Sequence, residues 1–315
     1  VSIVVPARNA ARFLAATLQS IEEQTFPRWE CLVMDDGSTD ETFHIGKSFA
    51  RRDKRFRIFR HPCMGKSRSR NEGFFLMHRG SRYVSFMDAD DMWQPRALEM
   101  LTSRLEFSPL AVGVHGLAEL IGLRGEGIRP GAFADFGRSR RVFIGGDERA
   151  LKPEEPTTLE SLAWVATVFP PGVLLARREN YMRGALYDPE LLHCEDWDVS
   201  IRLSRQGPLE FLNEVILGYR RHDRNQSNDW NGMRAFVRKV HYKTFHSEAN
   251  SPAQRQMLRE GWRAFQLFKI REKWKCVLQQ SGLMRWKALA RALAAAPVHG
   301  SRYCRGSPPA RWRLT

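Results

Sequence analysis

Residues 83–91 read YVSFMDADD, and this stretch decides the fold. An apolar run, 84–87, ends abruptly in three carboxylates, Asp88, Asp90 and Asp91. Like charges this close cannot share a buried site unless a positive partner arrives. A divalent cation escorting a diphosphate is the simplest such partner. Hard oxygen ligands suit Mg2+ or Mn2+ and argue against zinc. Acids at the carboxyl end of a buried strand also lie where open α/β sheets bind ligands. The competing reading is local: a strand ending in a turn that caps the helix after Pro95. D-x-D alone leaves both readings open.

Working outward, residues 1–5 (VSIVV) read as a buried strand and 6–9 as a turn. Residues 10–24 place Phe13, Leu14, Thr17, Leu18 and Ile21 on one helical face. Residues 29–34 form a second strand that ends at Asp35, Asp36, Gly37 and Ser38. Ser38 with Glu41 spells a capping box that opens the next helix. Residues 56–59 predict a short strand, 67–78 a helix and 83–87 a fourth strand. Pro95 suits the first position of another helix. Strand and helix alternate at α/β spacing, which implies a mostly parallel sheet flanked by helices. Residues 121–156 break this rhythm; rich in Gly, Arg and Pro, they predict a flexible, basic insertion. A strand at 173–176, a helix after Asp196, a strand at 215–219 and helices over 231–296 follow. There are no internal repeats.

At 315 residues and 43% hydrophobic, the chain can bury a substantial core. No run of about 18 apolar residues occurs, so no membrane span is read. The five cysteines are scattered and contain no C-x-x-C, which predicts reduced thiols, a cytosolic setting and no structural zinc. The chain begins at Val1 inside a strand-like run, so the lack of a leader carries little weight. The whole net charge of +15 falls in residues 231–315, which hold 18 Lys/Arg against Glu248, Glu260 and Glu272. A neutral body with a basic end points to a polyanionic surface, either anionic lipid or nucleic acid. Residues 253–296 interleave Trp262, Phe265, Trp274 and Trp286 with Lys and Arg. That pattern suits helices lying in a membrane interface, or helices packed on the body with a charged outer face. No recognised module supports nucleic acid. Gly65-Lys66-Ser67 is half of a phosphate loop, but Arg60 stands where its first glycine is required.

Several segments in order resemble the family 2 glycosyltransferases of GT-A fold. They are VSIVVPARNAARFLAATLQSIEEQTF at 1–26, WECLVMDDGSTDET at 29–42, GKSRSRNEG leading to the D-x-D strand, and HCEDWDVSIRLSRQG followed by YRRHDRNQS. The resemblance covers roughly residues 1–225 and implies a GT-A catalytic domain over 1–230, with a basic helical region over 231–315. It implies inverting transfer of a sugar from a nucleotide-diphospho-sugar, foremost a UDP-sugar, to a glycan or lipid-linked acceptor. It also implies work in cell-surface polysaccharide synthesis, in the cytoplasm or at the inner face of the plasma membrane. The last 15 or so residues are expected to be disordered.

The same resemblance assigns roles residue by residue. Asp36, with Asp35 beside it, would accept hydrogen bonds from the base or ribose. Pro6 and Ala7 would offer backbone, and Arg8, which departs from the aromatic residue common there, would stack on the base. Arg70 would hold donor oxygens. Asp88, with Ala89, would meet the ribose, and Asp90 the metal. His222 is a second candidate metal ligand. Asp196 would be the general base, with Glu195 second. Trp197 is either an acceptor wall or core. Two rivals are a sugar-phosphate nucleotidyltransferase, whose Gly-rich loop PARNAARF lacks, and a non-catalytic relative that binds glycan or membrane.

Overall fold

The computed structural model describes residues 1–128, 131–144 and 147–279. The first strand, β1 (Ser2–Ala7), is buried along its whole length, and Val4 and Val5 are 0% exposed. Such two-sided burial is what a central strand covered on both faces requires. β2 (Glu30–Asp36) and β3 (Phe56–His61) follow, joined through α1 (Leu14–Glu22) and α2 (Thr42–Arg52). α3 (Lys66–Leu76) leads to β4 (Tyr83–Phe86), then β5 (Met92–Trp93) and α4 (Ala97–Phe107). β6 (Gly113–Ile121), β9 (Leu174–Arg177) and β10 (Leu209–Arg220) complete the sheet.

The strand order is β3-β2-β1-β4-β9-β6-β10-β5. β3, β2, β1 and β4 run parallel, β9 runs antiparallel to β4 and β6, and β10 is parallel to β6. The chain winds from β1 outward to β3 and then returns to place β4 on the other side of β1. The carboxyl ends of β1 and β4 therefore flank a switch point, the crevice in which such sheets bind ligands. Gly73 lets α3 lie close against this sheet, because a Cβ there would stand 2.4 Å from Val4 Cγ1.

The expected capping box does not form. The Ser38 hydroxyl accepts from the Asn9 amide at 3.0 Å, and Asp40 instead accepts from the Thr42 amide that opens α2. Pro95 lies two residues before α4 rather than inside it.

The 121–156 stretch is not a loose insertion. It contains α5 (Ala132–Arg138) and the hairpin β7 (Arg141–Ile144) and β8 (Asp147–Ala150). Arg140 is 1% exposed and donates to the carbonyls of Lys152 and Glu155 and to the Thr157 hydroxyl. Its guanidinium lies 3.7 Å over the Phe211 ring. Buried carbonyls thus receive the donors they need, and the polar segment is tied down by its own arginine.

α6 (Leu159–Leu162) and a short turn α7 (Arg178–Asn180) precede α8 (Glu195–Ser204). Of the basic region, α9 (Trp230–His246) and α10 (Pro252–Gln279) are described. Leu258, Trp262 and Phe265 of α10 join the same core as the sheet, against Phe143 and Trp164. The first turns of α10 thus use their apolar face on the body, the packing alternative to a membrane face. Side chains from 272 to 279 and all of 280–315, including the expected disordered end, lie outside the description. No described helix is long and apolar enough to cross a membrane.

Candidate active site

The residues expected to meet the base lie where β1 and β2 end. Asp36 is 3% exposed and accepts from the Met64 amide at 2.7 Å and the Gly65 amide at 3.0 Å. The Cys63 thiol also approaches Oδ2 at 3.9 Å, and His61 Nδ1 lies 3.4 Å from Oδ1. Gly65 supports this with φ 89°, a conformation that favours glycine. Arg8 is exposed beside it and donates to Cys63 Sγ at 2.6 Å. Pro6 and Ala7 are buried in β1, so only their backbone can face a ligand. Asp35 differs from the expectation. It is 0% exposed, accepts from the Ser38 amide and lies 3.2 Å from Arg60 Nε. Its carboxylate holds the β2–α2 turn and is enclosed there beside Arg60.

The acid cluster sits across the switch point. Oxygens of Asp88, Asp90 and Asp91 lie within 4.8 Å of one another. Asp91 is 0% exposed; Oδ1 accepts from the Arg220 amide at 3.0 Å, while buried Oδ2 has no hydrogen-bond partner. Burial, and then the charges of Asp90 and Asp88, push its carboxyl well above the ordinary range. An orphaned buried oxygen amid three carboxylates is a donor set that fits a hard divalent cation. His222 Nε2 lies 2.8 Å from Asp90 Oδ2, and its ring stacks on Phe13 at 4.8 Å. Buried Arg220 donates to the Asp90, Gly122 and Leu123 carbonyls and fixes the acid turn from behind. Ala89 is anchored too: its carbonyl accepts from the Thr17 hydroxyl at 2.9 Å.

α3 connects this cluster to the other half of the site. Arg70 is fully buried; Nη2 donates to Asp88 Oδ1 at 2.5 Å and Nη1 to Glu195 Oε1 at 2.9 Å. Its guanidinium lies 4.8 Å from the Tyr187 ring centre, and Asn71 clamps the Tyr187 backbone through two hydrogen bonds. Lys66 reaches the same Glu195 oxygen at 2.6 Å. Burial alone would raise the Glu195 carboxyl, but Lys66 and Arg70 outweigh it and hold it below its ordinary value. Burial, and then the Glu195 charge, push half-buried Asp196 up to about 7. A carboxylate with that affinity exchanges protons readily near neutral pH. Cys194, just before them, takes a left-handed backbone at φ 60° to start α8. Trp197 is core: it is 3% exposed and its indole donates to the Leu162 carbonyl at 2.6 Å.

Of the expected site residues, Asp36, Arg70, Asp88, Asp90, His222, Glu195 and Asp196 thus form one linked network or border it. Thr17, Phe13, Lys66 and Arg220 were not singled out for these contacts. For Thr17 and Phe13 the only sequence signal was a helical face, and for Lys66 and Arg220 a basic residue near a motif.

Known proteins are similar to this chain in sequence and in fold. A sequence profile described as Glycosyl transferase family 2 matches residues 2–144. The Escherichia coli protein named UDP-Glc:alpha-D-GlcNAc-diphosphoundecaprenol beta-1,3-glucosyltransferase WfgD is 34% identical over 106 residues, 33% of this chain. That stretch is 40% of the relative's own length, so the match spans well under two thirds of it. Among solved structures, S. aureus TarS in complex with UDP-GlcNAc superposes with TM-score 0.63 at 17% identity, covering 98% of this chain and 81% of that one. The mannosyltransferase PcManGT from Pyrobaculum calidifontis, with GDP-Man and Mn2+, gives TM-score 0.61 at 19% identity, covering 95% and 75%. At such identities the two structures speak for the fold, and the profile and the curated relative speak for the family. Residues 2–144 thus carry the glycosyl transferase family 2 pattern, on a chain whose fold is the GT-A fold of the solved glycosyltransferases.

Proposed function

We propose that this chain transfers a sugar, with inversion, from a nucleotide-diphospho-sugar to a glycan or lipid-linked acceptor in cell-surface polysaccharide synthesis. The observation that carries the reading is the single buried guanidinium of Arg70, which joins Asp88 of the acid cluster to Glu195 beside Asp196. Donor and acceptor chemistry then meet across one residue. Asp36 accepts from the base or ribose, and Arg8 stacks on the base plane. Asp90, Asp91 and Asp88, with His222 behind Asp90, would hold Mg2+ or Mn2+. Such an ion neutralises the diphosphate and stabilises the charge it carries on leaving. Asp196 takes the acceptor hydroxyl's proton as that oxygen attacks the anomeric carbon from the face opposite the nucleotide. A UDP-sugar donor is favoured by the relative named for UDP-Glc and the neighbour solved with UDP-GlcNAc. The relative's diphosphoundecaprenol acceptor favours a lipid-linked one here. The basic region fits work at the inner, anionic face of a plasma membrane.

Calorimetric titration with UDP, GDP and dTDP, each with and without Mn2+, tests this. UDP should bind, and only with metal; Asp90→Ala should weaken that binding at least about tenfold by removing a charged ligand. Binding of none of the three would leave the fold without the activity. The pH dependence has a definite sign. Asp196 works ionised, so transfer should be full above about pH 7 and fall as the pH drops through that value. A rate flat down to about pH 5, below the range to which Asp196 is raised, would remove it as the base.

A further inference from the structure

Lys66 opens α3 just after Gly65, and its ammonium serves two elements at once. It lies 2.6 Å from Glu195 Oε1 and donates to the Gln226 side-chain oxygen. Gln226 starts a short 3-10 turn, Gln226–Asn228, that follows His222 in the chain. Ser227 of that turn is held by the Tyr219 hydroxyl and Arg221. Arg70, one helical turn after Lys66, donates to the same Glu195 oxygen. Two cations from one helix face therefore converge on a single carboxylate oxygen. They are not equivalent. Arg70 is 0% exposed and shared with Asp88, whereas the Lys66 side chain is 31% exposed and, among the described residues, forms its ion pair with Glu195.

We propose that Lys66 is a positioning residue for the transfer step, fixing the Glu195 carboxylate beside Asp196 and setting the charge that Asp196 meets. This rests on Asp196 being the base. The groups facing Asp196 are Glu195 on its own helix, Lys66 and Arg70 from α3, and Tyr187 and Cys194 from the segment before α8. Burial raises the Tyr187 phenol and the Cys194 thiol, so both are neutral at working pH. The balance at Asp196 is therefore struck among Glu195, Arg70 and Lys66. Without Lys66, Glu195 keeps one cation, already committed to Asp88. Asp196 then faces a negative neighbour with one fewer compensating cation and holds its proton to higher pH.

Two readouts test this on the full chain: the pH profile of kcat for transfer from a UDP-sugar, and a 13C-carboxylate NMR titration of Asp196 without ligand. Lys66→Met and Lys66→Gln should each move the acid limb and the NMR midpoint upward by about one pH unit. Below both midpoints that is about a tenfold loss of rate, vanishing at alkaline pH. Lys66→Arg should restore the wild-type midpoint. An unmoved midpoint in both neutral variants overturns the proposal. So does a raised donor KM at every pH with the limb in place, which would put Lys66 on the diphosphate instead. Should wild type transfer no sugar at all, the transferase reading fails, while the ligand-free NMR midpoint still decides the role of Lys66.

Discussion

Asp196→Asn slows sugar transfer by about 10²–10⁴-fold, the usual worth of a positioned base, and leaves metal-dependent UDP binding unchanged. Asparagine matches aspartate in size, and its Oδ1 can still accept from the Trp197 amide, as Asp196 does at 2.8 Å. What it cannot do is take a proton. The acid cluster and Asp36 belong to other elements, the ends of β4 and β2, so UDP binding should not register the change. Rates measured at saturating donor, with a calorimetric titration of UDP and Mn2+ alongside, separate the two effects. Transfer within a few-fold of wild type would transfer the role to Glu195. Lost UDP binding would mean that the substitution disturbs the donor half through Glu195 and Arg70.

Arg70→Met destabilises the fold by about 3–5 kcal/mol, because removing one partner of a buried ion pair strands the others. The side chain is 0% exposed, and both Asp88 and Glu195 depend on it. Lys66 still reaches Glu195, so the larger injury falls at Asp88, which burial already raises and which then also faces Asp90. Arg70→Lys should recover only part of the loss, since an ammonium lacks the planar fork that bridges two carboxylates. The midpoint of denaturant unfolding reads this directly. A midpoint unchanged in Arg70→Met would mean that the two acids settle without the guanidinium, and that the link between the site's halves is not energetic.

The sheet was legible because its strands are buried on both faces and so appear as unbroken apolar runs ending in acids. The acid cluster was legible for the same reason. Other parts depended on distant partners. Arg220 holds Asp91 across 129 positions and Thr17 holds Ala89 across 72, and no local pattern reports either contact. The capping box failed because β1's loop competes for the Ser38 hydroxyl. The pairing of Asp35 with Asp36 ignored a signal that was present: neighbours on a strand point to opposite faces, so one of the two had to turn inward. The 121–156 stretch was misjudged because its composition is loop-like, while its order comes from one buried arginine bonded to carbonyls. Trp197 sits beside the two acids in sequence, yet on the helix it faces the core.

The acid turn also bears on the order in which the chain assembles. Arg70 and Thr17, which hold Asp88 and Ala89, precede the acid turn in the chain, yet the groups that hold Asp90 and Asp91 come more than a hundred residues later. Met92 and Trp93 pair with Gly218 and Leu217, the Arg220 amide bonds Asp91, and His222 meets Asp90. A nascent chain that has emerged only through β4 and α4 carries three crowded carboxylates with none of these partners, and repulsion keeps them apart. The acid turn is thus among the last parts to become native, and its closure waits on the most distant pairings in the sheet.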